Sequence, residues 1–356
     1  VQQYELELRF GLTLAQLDCD ANGASDLQEI SSSPSLDCNN NAVLDACEVQ
    51  GFSVYADHPL GHYSYGVSTD GNRAYVTGEA EDIVYAYDIS DPLAPTEVGM
   101  ASVTGLALYS VPVDDYLYVS SYSDGLYVLD KSGLEPPPSN SEMPMVGHLT
   151  APTNILRFVA AGDYLYLPAE VTGFHVASIA DRANPVLVGS LTTSANVRGV
   201  VVSGNYAFAA ASLEGLYVID VTDPTVPSLV SQVDTPDKAL GIAQLGENHV
   251  IVADLSSLQV IDVSAPTSPA VVGTVPGLVN ARNVMVEGNI AYAGTASGLI
   301  AYDMSNPALP VFLAQVSTTA DVYQTALATN NLVSACSSYG LVVTSSLSLD
   351  VNGDGV

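Results

Sequence analysis

The sequence has few positively charged residues. Among its 356 residues, 8 are Lys or Arg and 39 are Asp or Glu, which gives a formal net charge of −31. Binding to nucleic acid or to an anionic membrane surface depends on Lys and Arg contacts to phosphates, so this composition argues against both classes of partner. An acidic surface instead suits divalent cations, or serves only to keep the protein soluble.

Long apolar runs and common catalytic motifs are also missing. No apolar run of about 18 residues occurs, so the sequence predicts no membrane-spanning helix. No Gly-x-Ser-x-Gly, phosphate-loop or Cys-x-x-Cys motif is present, and the histidines show no metal-ligand spacing: His58, His62, His148, His175 and His249. We therefore predict that the protein is not an enzyme.

Cysteine is scarce and unevenly placed. Cys19, Cys38 and Cys47 cluster in a polar N-terminal segment, whereas Cys336 lies alone near the other end. A small polar segment needs a covalent staple, so the cluster predicts a disulfide, either Cys38–Cys47 or Cys19–Cys38. It also predicts an oxidising, extracytoplasmic location, secreted or on the cell surface. For Cys336, which falls inside a predicted strand, we expect a buried thiol.

A repeated unit of about 42 residues dominates the rest of the chain. Residues 215–233, GLYVIDVTDPTVPSLVSQV, show a β-branched and aromatic run, an Asp-Pro turn and a second apolar run. Each unit has a marker residue, usually glycine, at the start of its third strand: Asp82, Gly125, Gly173, Gly215, Ser257, Gly298 and Gly340. Seven copies of four short strands predict an all-β fold, a seven-bladed β-propeller over residues 49–349.

The last unit shows only three strands, from Gln324 to Ser346. An unassigned strand at Gly51–Asp57 precedes the first unit, so we predict that it supplies the missing fourth strand and closes the ring. Aspartates recur at the ends of the third strands, where a residue repeated by the fold is expected to cap the following turn: Asp88, Asp130, Asp220, Asp262 and Asp303.

The repeat resembles that of the LVIVD-repeat propellers. The strand phrases LYVID (216–220), LQVID (258–262) and LYVLD (126–130) carry the resemblance, and Ser178 replaces the aspartate in the third unit. The resemblance implies a propeller of the kind found on bacterial surface and secreted proteins. It implies no particular activity.

Two loops in the N-terminal segment have the spacing of calcium ligands. Residues 18–29, DCDANGASDLQE, match D-x-[DN]-x-[DN]-G-x5-E at every constrained position. Residues 37–48, DCNNNAVLDACE, repeat the pattern with Ala42 in place of the turn glycine, which predicts weaker binding. The predicted ligands are Asp18, Asp20, Asn22, the Ala24 carbonyl, Asp26 and Glu29 in the first loop, and Asp37, Asn39, Asn41, the Val43 carbonyl, Asp45 and Glu48 in the second.

These loops resemble the EF-hand-like repeats of dockerin and thrombospondin type 3 modules. The resemblance covers residues 12–48 and implies an extracellular protein that binds Ca²⁺. The front half of a third loop ends the sequence, with predicted ligands Asp350, Asn352, Asp354 and the Val356 carbonyl. Its remaining ligands come either from a continuation of the chain or from another part of the assembly.

Residues 1–11 contain an amphipathic strand, Tyr4–Phe10, that belongs to no repeat unit. Such a strand must pair, either with its own N-terminal segment or the flank of its propeller, or with a neighbouring molecule. Strand addition, or a calcium ion shared with the half loop, would join copies head to tail into filaments. The sequence thus predicts an extracellular, calcium-stabilised scaffold or interaction protein that associates with itself or with another surface protein.

Four of the eight cations fall at the starts of first strands: Arg157, Arg198, Lys238 and Arg282. In a propeller these starts face the central channel. The four side chains either form a collar for an anion or pair with local carboxylates such as Asp234 and Asp237. The alternative function, a hydrolase or lactonase, would need carboxylates or histidines converging in that channel.

Overall fold

A computed structural model describes residues 52, 54–59, 63–78, 82–136, 141–329, 331–338 and 340–347. The predicted calcium loops, the half loop at 350–356, the strand Tyr4–Phe10 and the three N-terminal cysteines lie outside the described residues. The described residues form seven sheets of short strands. Among them, no helix has the length and apolar character needed to cross a membrane.

The seven sheets are the blades of a β-propeller, numbered here along the chain, which confirms the predicted fold. Blade 1 contains β2 (Ser64–Asp70), β3 (Arg73–Gly78), β4 (Ile83–Asp88) and β5 (Thr96–Ser102), with a short fifth strand, β9 (Ser141–Glu142). Blade 2 contains β6 (Ala107–Val113), β7 (Tyr116–Ser121), β8 (Gly125–Asp130) and β10 (Met145–Leu149). Blade 3 contains β11 (Val159–Ala161), β12 (Tyr164–Ala169), β13 (Gly173–Ser178) and β14 (Val186–Leu191).

The remaining blades repeat this order. Blade 4 contains β15 (Gly199–Ser203), β16 (Tyr206–Ala210), β17 (Leu216–Asp220) and β18 (Ser228–Val233). Blade 5 contains β19 (Gly241–Leu245), β20 (His249–Ala253), β21 (Leu255–Asp262) and β22 (Ala270–Ala281). Blade 6 contains β23 (Asn283–Glu287), β24 (Ile290–Thr295), β25 (Gly298–Asp303) and β26 (Val311–Val316).

Blade 7 joins the two ends of the propeller. It contains β27 (Val322–Ala328), β28 (Asn331–Cys336), β29 (Gly340–Ser345) and β1 (Val54–Pro59) from before blade 1. Strand β1 pairs antiparallel with β29, with Val54 opposite Thr344 and Pro59 opposite Gly340. It occupies the place that the sequence predicted for a strand in 51–57. Cys336 is a fully buried thiol in β28, as predicted.

The apolar core lies between the blades. The second and third strands are buried almost throughout, as in β16 and β17. Six clusters of buried side chains each combine residues of two adjacent blades; one of them packs Phe208 and Val218 of blade 4 against Val250 and Ile261 of blade 5. Each blade is therefore stabilised mainly by its neighbours.

Strand β9 departs from the predicted four-stranded blades. It pairs in parallel with β5, with Ser141 opposite Gly99. The marker spacing between Gly125 and Gly173 is 48 residues, the longest in the chain, and the extra residues contain β9. A two-residue strand depends on tertiary contacts, so its pairing was not predictable from a local pattern.

The recurring aspartates cap the turns after the third strands, as predicted. In all five cases the backbone N–H two residues later donates to the carboxylate, at 2.7 to 2.9 Å: Asp88, Asp130, Asp220, Asp262 and Asp303. In blade 3 the Ser178 hydroxyl accepts the equivalent bond from Ala180 at 3.4 Å. These carboxylates therefore have a structural role in the repeat.

The fourth strand of every blade contains a β-bulge. The register shifts by one residue in each pairing of a fourth strand with its third strand. In three blades the residue after the bulge is a glycine that lies against a backbone carbonyl of the next blade, and a Cβ there would overlap it: Gly147 with Ala183, Gly189 with Pro224 and Gly273 with Pro307. The bulge thus brings adjacent blades into backbone contact.

This contact predicts the effect of Gly273→Ala. The added methyl group would overlap the Pro307 carbonyl oxygen and push blades 5 and 6 apart, so we expect a loss of about 1–3 kcal/mol in the free energy of unfolding. Urea unfolding followed by circular dichroism measures it. The matched control is Gly133→Ala, where a Cβ meets nothing; equal losses in both variants would contradict the contact.

The capped turns predict a loss of stability in acid. Hydrogen bonds from Ser132, Thr222 and Ser264 hold the pKa values of Asp130, Asp220 and Asp262 below the usual range. The ionised aspartates therefore add to the free energy of unfolding above the unfolded pKa of about 3.9. This contribution is lost as pH falls through the lower folded pKa values.

The triple variant with Asp130, Asp220 and Asp262 changed to Asn keeps an acceptor oxygen that does not titrate. We expect its urea midpoint to fall less than that of the wild type between pH 5 and pH 2, a window set by these shifts. Changing the exposed Asp115 and Glu247 to Asn and Gln provides the control. An equally steep fall in the triple variant would show that the caps contribute nothing.

Candidate functional site

Seven equivalent residues, one from each blade, meet at the start of the innermost strands. Each stands 16 or 17 residues before the marker residue of its blade. Together with Leu156 they line a cavity of about 30 Å³. We call these seven residues the channel ring: Tyr65, Tyr109, Arg157, Arg198, Leu240, Arg282 and Tyr323.

The structure brings together three of the four predicted collar residues. Arg157, Arg198 and Arg282 belong to the channel ring. Lys238 does not line the cavity: its side chain is exposed, and its backbone N–H donates to the Asp237 carboxylate at 2.8 Å. The ring position of blade 5 is instead Leu240, two residues later. The inclusion of Lys238 was therefore wrong. It was selected for its charge, although it does not occupy the equivalent position in its repeat unit.

Arg157 reaches across the ring to three other blades. Its Nη2 donates to the Tyr323 carbonyl oxygen of blade 7 at 2.9 Å, and its Nη1 donates to the Leu240 carbonyl oxygen of blade 5 at 3.4 Å. Its guanidinium carbon lies 5.0 Å from the centre of the Tyr109 ring in blade 2. A single side chain thus connects distant parts of the propeller through charge-assisted and cation–π contacts.

The tyrosines form the other half of the ring. Tyr65 meets Tyr109 and Tyr323 edge-on, with centroid distances of 5.6 and 5.2 Å, and the Arg282 guanidinium carbon lies 5.3 Å from the centre of the Tyr323 ring. Burial raises the pKa of Tyr109, and the charges of Arg157 and Arg198 only partly oppose that rise. Tyr109 is therefore a neutral phenol at physiological pH.

The positive charge of the ring is only partly balanced. Arg198 pairs with Glu170 at 2.5 Å. Within the described ranges, neither Arg157 nor Arg282 forms an ion pair with a carboxylate. The Nε atoms of all three arginines are buried without a hydrogen-bond partner. A buried donor without a partner is costly, so an acceptor that reached these three N–H groups would be stabilising.

A wider cavity of about 340 Å³ continues along the innermost strands of blades 3 to 7. Arg157 borders both cavities. The wider one offers apolar and amide groups, including Val159, Val201, Ile242, Met285, Gln244, Asn283 and Gln324. Its lining contains no carboxylate or histidine, and nowhere in the described part of the chain are three or more His, Cys, Asp or Glu side chains placed to hold a metal ion.

The four ring residues that the sequence analysis missed carry no charge: Tyr65, Tyr109, Leu240 and Tyr323. The sequence contained a signal for them: all seven ring residues lie 16 or 17 residues before the marker residues of their blades. Charge alone identified only the arginines. The fold aligns equivalent positions whatever their chemistry, so the phase of the repeat was the better guide.

Comparison with known proteins supports the repeat and the fold. Residues 157–193, 195–235, 241–276 and 280–318 match the LVIVD repeat, so the chain carries LVIVD repeats in blades 3 to 6. No curated protein matches the sequence. Several solved propellers have similar folds at identities too low to indicate a shared function.

One is the WD40 β-propeller domain of Doa1, with a TM-score of 0.66 and 13% identity over 83% of this chain and 97% of that one. Another is U3-55K, with a TM-score of 0.66 and 10% identity over 84% of this chain and 99% of that one. A third is Sqt1 of Saccharomyces cerevisiae, with a TM-score of 0.62 and 8% identity over 85% of this chain and 100% of that one.

The contacts of Arg157 predict the effect of Arg157→Met. This change leaves the Tyr323 and Leu240 carbonyl oxygens without their donor and removes the stacking on Tyr109. We expect a loss of about 1–3 kcal/mol in the free energy of unfolding, measured by urea titration. Lys238→Met, outside the ring, should change stability by less than about 0.5 kcal/mol. If both variants behave alike, Arg157 does not hold the ring together.

Proposed function

We propose that this chain is an extracellular, calcium-stabilised propeller that acts as a scaffold and interaction protein and associates head to tail. The observation that carries the proposal is the pair of in-phase loops at residues 18–29 and 37–48, each with calcium-ligand spacing. Two such loops, which precede the propeller in the chain, suit a structural calcium site. The N-terminal cysteine cluster supports an oxidising location.

Apolar side chains at the outer edges of the blades support an interaction role. The fourth strands of blades 2 to 6 expose large apolar residues, which we call the apolar rim: Met145, Val146, Val186, Leu187, Leu229, Val271, Val272, Val311 and Phe312. Phe312 is 57% exposed and Val186 is 58% exposed. Repeated apolar exposure of this kind suits contact with another surface protein or a second copy of the chain.

The blade edges themselves are poor sites for strand pairing between copies. A bulge interrupts every fourth strand, and bulges disrupt the regular ladder that an added strand needs. We therefore assign head-to-tail association mainly to the calcium loops, and the strand Tyr4–Phe10 would have to pair with a segment other than a blade edge.

The first and last strands of the described propeller are neighbours in blade 7. Val54, the first residue of β1, lies opposite Thr344 near the end of β29. A calcium ion shared between the segment before Val54 and the half loop after Thr344 would join either two copies or the two ends of one chain. The two arrangements differ in the mass of the particle: the first gives an assembly of several chains and the second a monomer.

We expect the purified chain to form large assemblies in millimolar calcium that dissociate to monomers in excess chelator, measured by light scattering during size-exclusion chromatography. The reason is that calcium would complete its coordination across two molecules. Monomers in both conditions would contradict head-to-tail assembly and leave the loops as local clips. Large assemblies that persist in chelator would contradict the role of calcium in joining copies.

The two calcium loops should differ in affinity. Glu29→Gln removes the bidentate ligand of the first loop, which has the turn glycine, whereas Glu48→Gln removes that of the second loop, which has Ala42. Calorimetric titration should show two sites in the wild type, with the tighter one lost in Glu29→Gln and the weaker one lost in Glu48→Gln. Asp115→Asn, on the propeller surface, is the control and should retain both sites. If both glutamate variants still bound calcium at two sites as the wild type does, the ligand assignment would be wrong.

A further inference from the structure

The channel ring concentrates positive charge in a strongly acidic protein. Three of the eight cations of the chain surround one cavity of about 30 Å³, and only Arg198 has a carboxylate partner among the described residues, Glu170. Partly buried like charges repel each other, and removing them from water is costly. An anion inside the cavity would compensate both costs.

The three buried Nε–H groups without a partner belong to side chains that line the cavity, one each from blades 3, 4 and 6. Two donors of Arg157 are already used by the Tyr323 and Leu240 carbonyl oxygens, so its free Nε–H is fixed in position. A donor held in place by its own hydrogen bonds binds a ligand with a smaller loss of side-chain entropy.

The volume of the cavity limits the kind of anion. A cavity needs at least about 10–15 Å³ to hold one water-sized atom. A cavity of about 30 Å³ therefore suits a small group such as the two oxygens of a carboxylate, with the rest of the ligand outside the cavity, better than the four oxygens of sulfate or phosphate. Planar guanidinium groups also suit the planar carboxylate.

We propose that the channel ring binds the carboxylate group of a small organic anion through Arg157, Arg198 and Arg282. Tyr65, Tyr109 and Tyr323 enclose the group and exclude water, which strengthens the electrostatic attraction. The site is independent of the calcium loops and of head-to-tail assembly. Its carboxylate belongs either to a free small acid or to the C-terminus of a peptide.

Acetate is the probe, and acetamide is its uncharged counterpart of similar size. Saturation-transfer NMR of the full chain, at constant ionic strength and calcium concentration, should show binding of acetate and none of acetamide. A tripeptide with a free C-terminus, compared with its C-terminal amide, distinguishes the two sources of the carboxylate. Absence of acetate and peptide binding would overturn the proposal.

Arg282→Gln and Lys238→Gln form the matched pair of variants. Arg282 lies in the ring, whereas Lys238 is exposed outside it, so we expect at least about a tenfold loss of acetate affinity in the first and no change in the second. Arg282→Lys keeps the charge without the guanidinium geometry and should bind with intermediate affinity, which keeps the test decisive if Arg282→Gln fails to fold. Equal losses in the Arg282→Gln and Lys238→Gln variants would overturn the site.

Competition identifies the chemical class of the anion. Sodium chloride and sodium sulfate, titrated against bound acetate at fixed ionic strength, should displace it only at much higher concentration. Stronger binding of sulfate would contradict the limit set by the cavity volume. Stronger binding of chloride than of acetate would overturn the carboxylate assignment, because the site would then hold a single-atom anion.

Discussion

A propeller blade has two apolar faces, and a neighbouring blade must cover each of them. Six clusters of buried residues in this structure each contain side chains of two adjacent blades. A row of such blades would end in two exposed apolar faces, so the ring has to close. The pairing of β1 with β29 supplies that closure, because it builds blade 7 from both ends of the repeat region. The other structural features depend on this pairing.

The turns after the third strands contribute contacts between adjacent blades. The aspartate at the end of a third strand caps the following turn, and that turn lies against the preceding blade. Tyr118 of blade 2 donates to the Arg182 carbonyl oxygen of blade 3 at 2.7 Å, and Ser231 of blade 4 donates to that of Pro266 in blade 5 at 2.5 Å. The bulge glycines make the same approach through backbone atoms. The repeated aspartates thus belong to the architecture.

The fold and its closing strand were predictable because both depend on a pattern repeated seven times. The turn caps were predictable for the same reason. Features that occur once were not: β9 depends on a contact with Gly99, and the channel ring appears only when seven residues from distant segments are brought together. Selecting cations by charge found Arg157 but also included Lys238, which lies two residues out of phase with the ring.

The channel ring is where the chemistry of the repeats diverges. Leu240 occupies the same position as the arginines and completes the ring with a side chain that has no charge, hydrogen-bonding group or aromatic ring. The geometry of the propeller therefore does not require an arginine at this position. Arg282 nevertheless has a buried Nε–H without a partner and, among the described residues, no balancing carboxylate. Since burying such a group is unfavourable, the proposed anion would compensate a cost that the contacts of the arginines with neighbouring blades leave unbalanced.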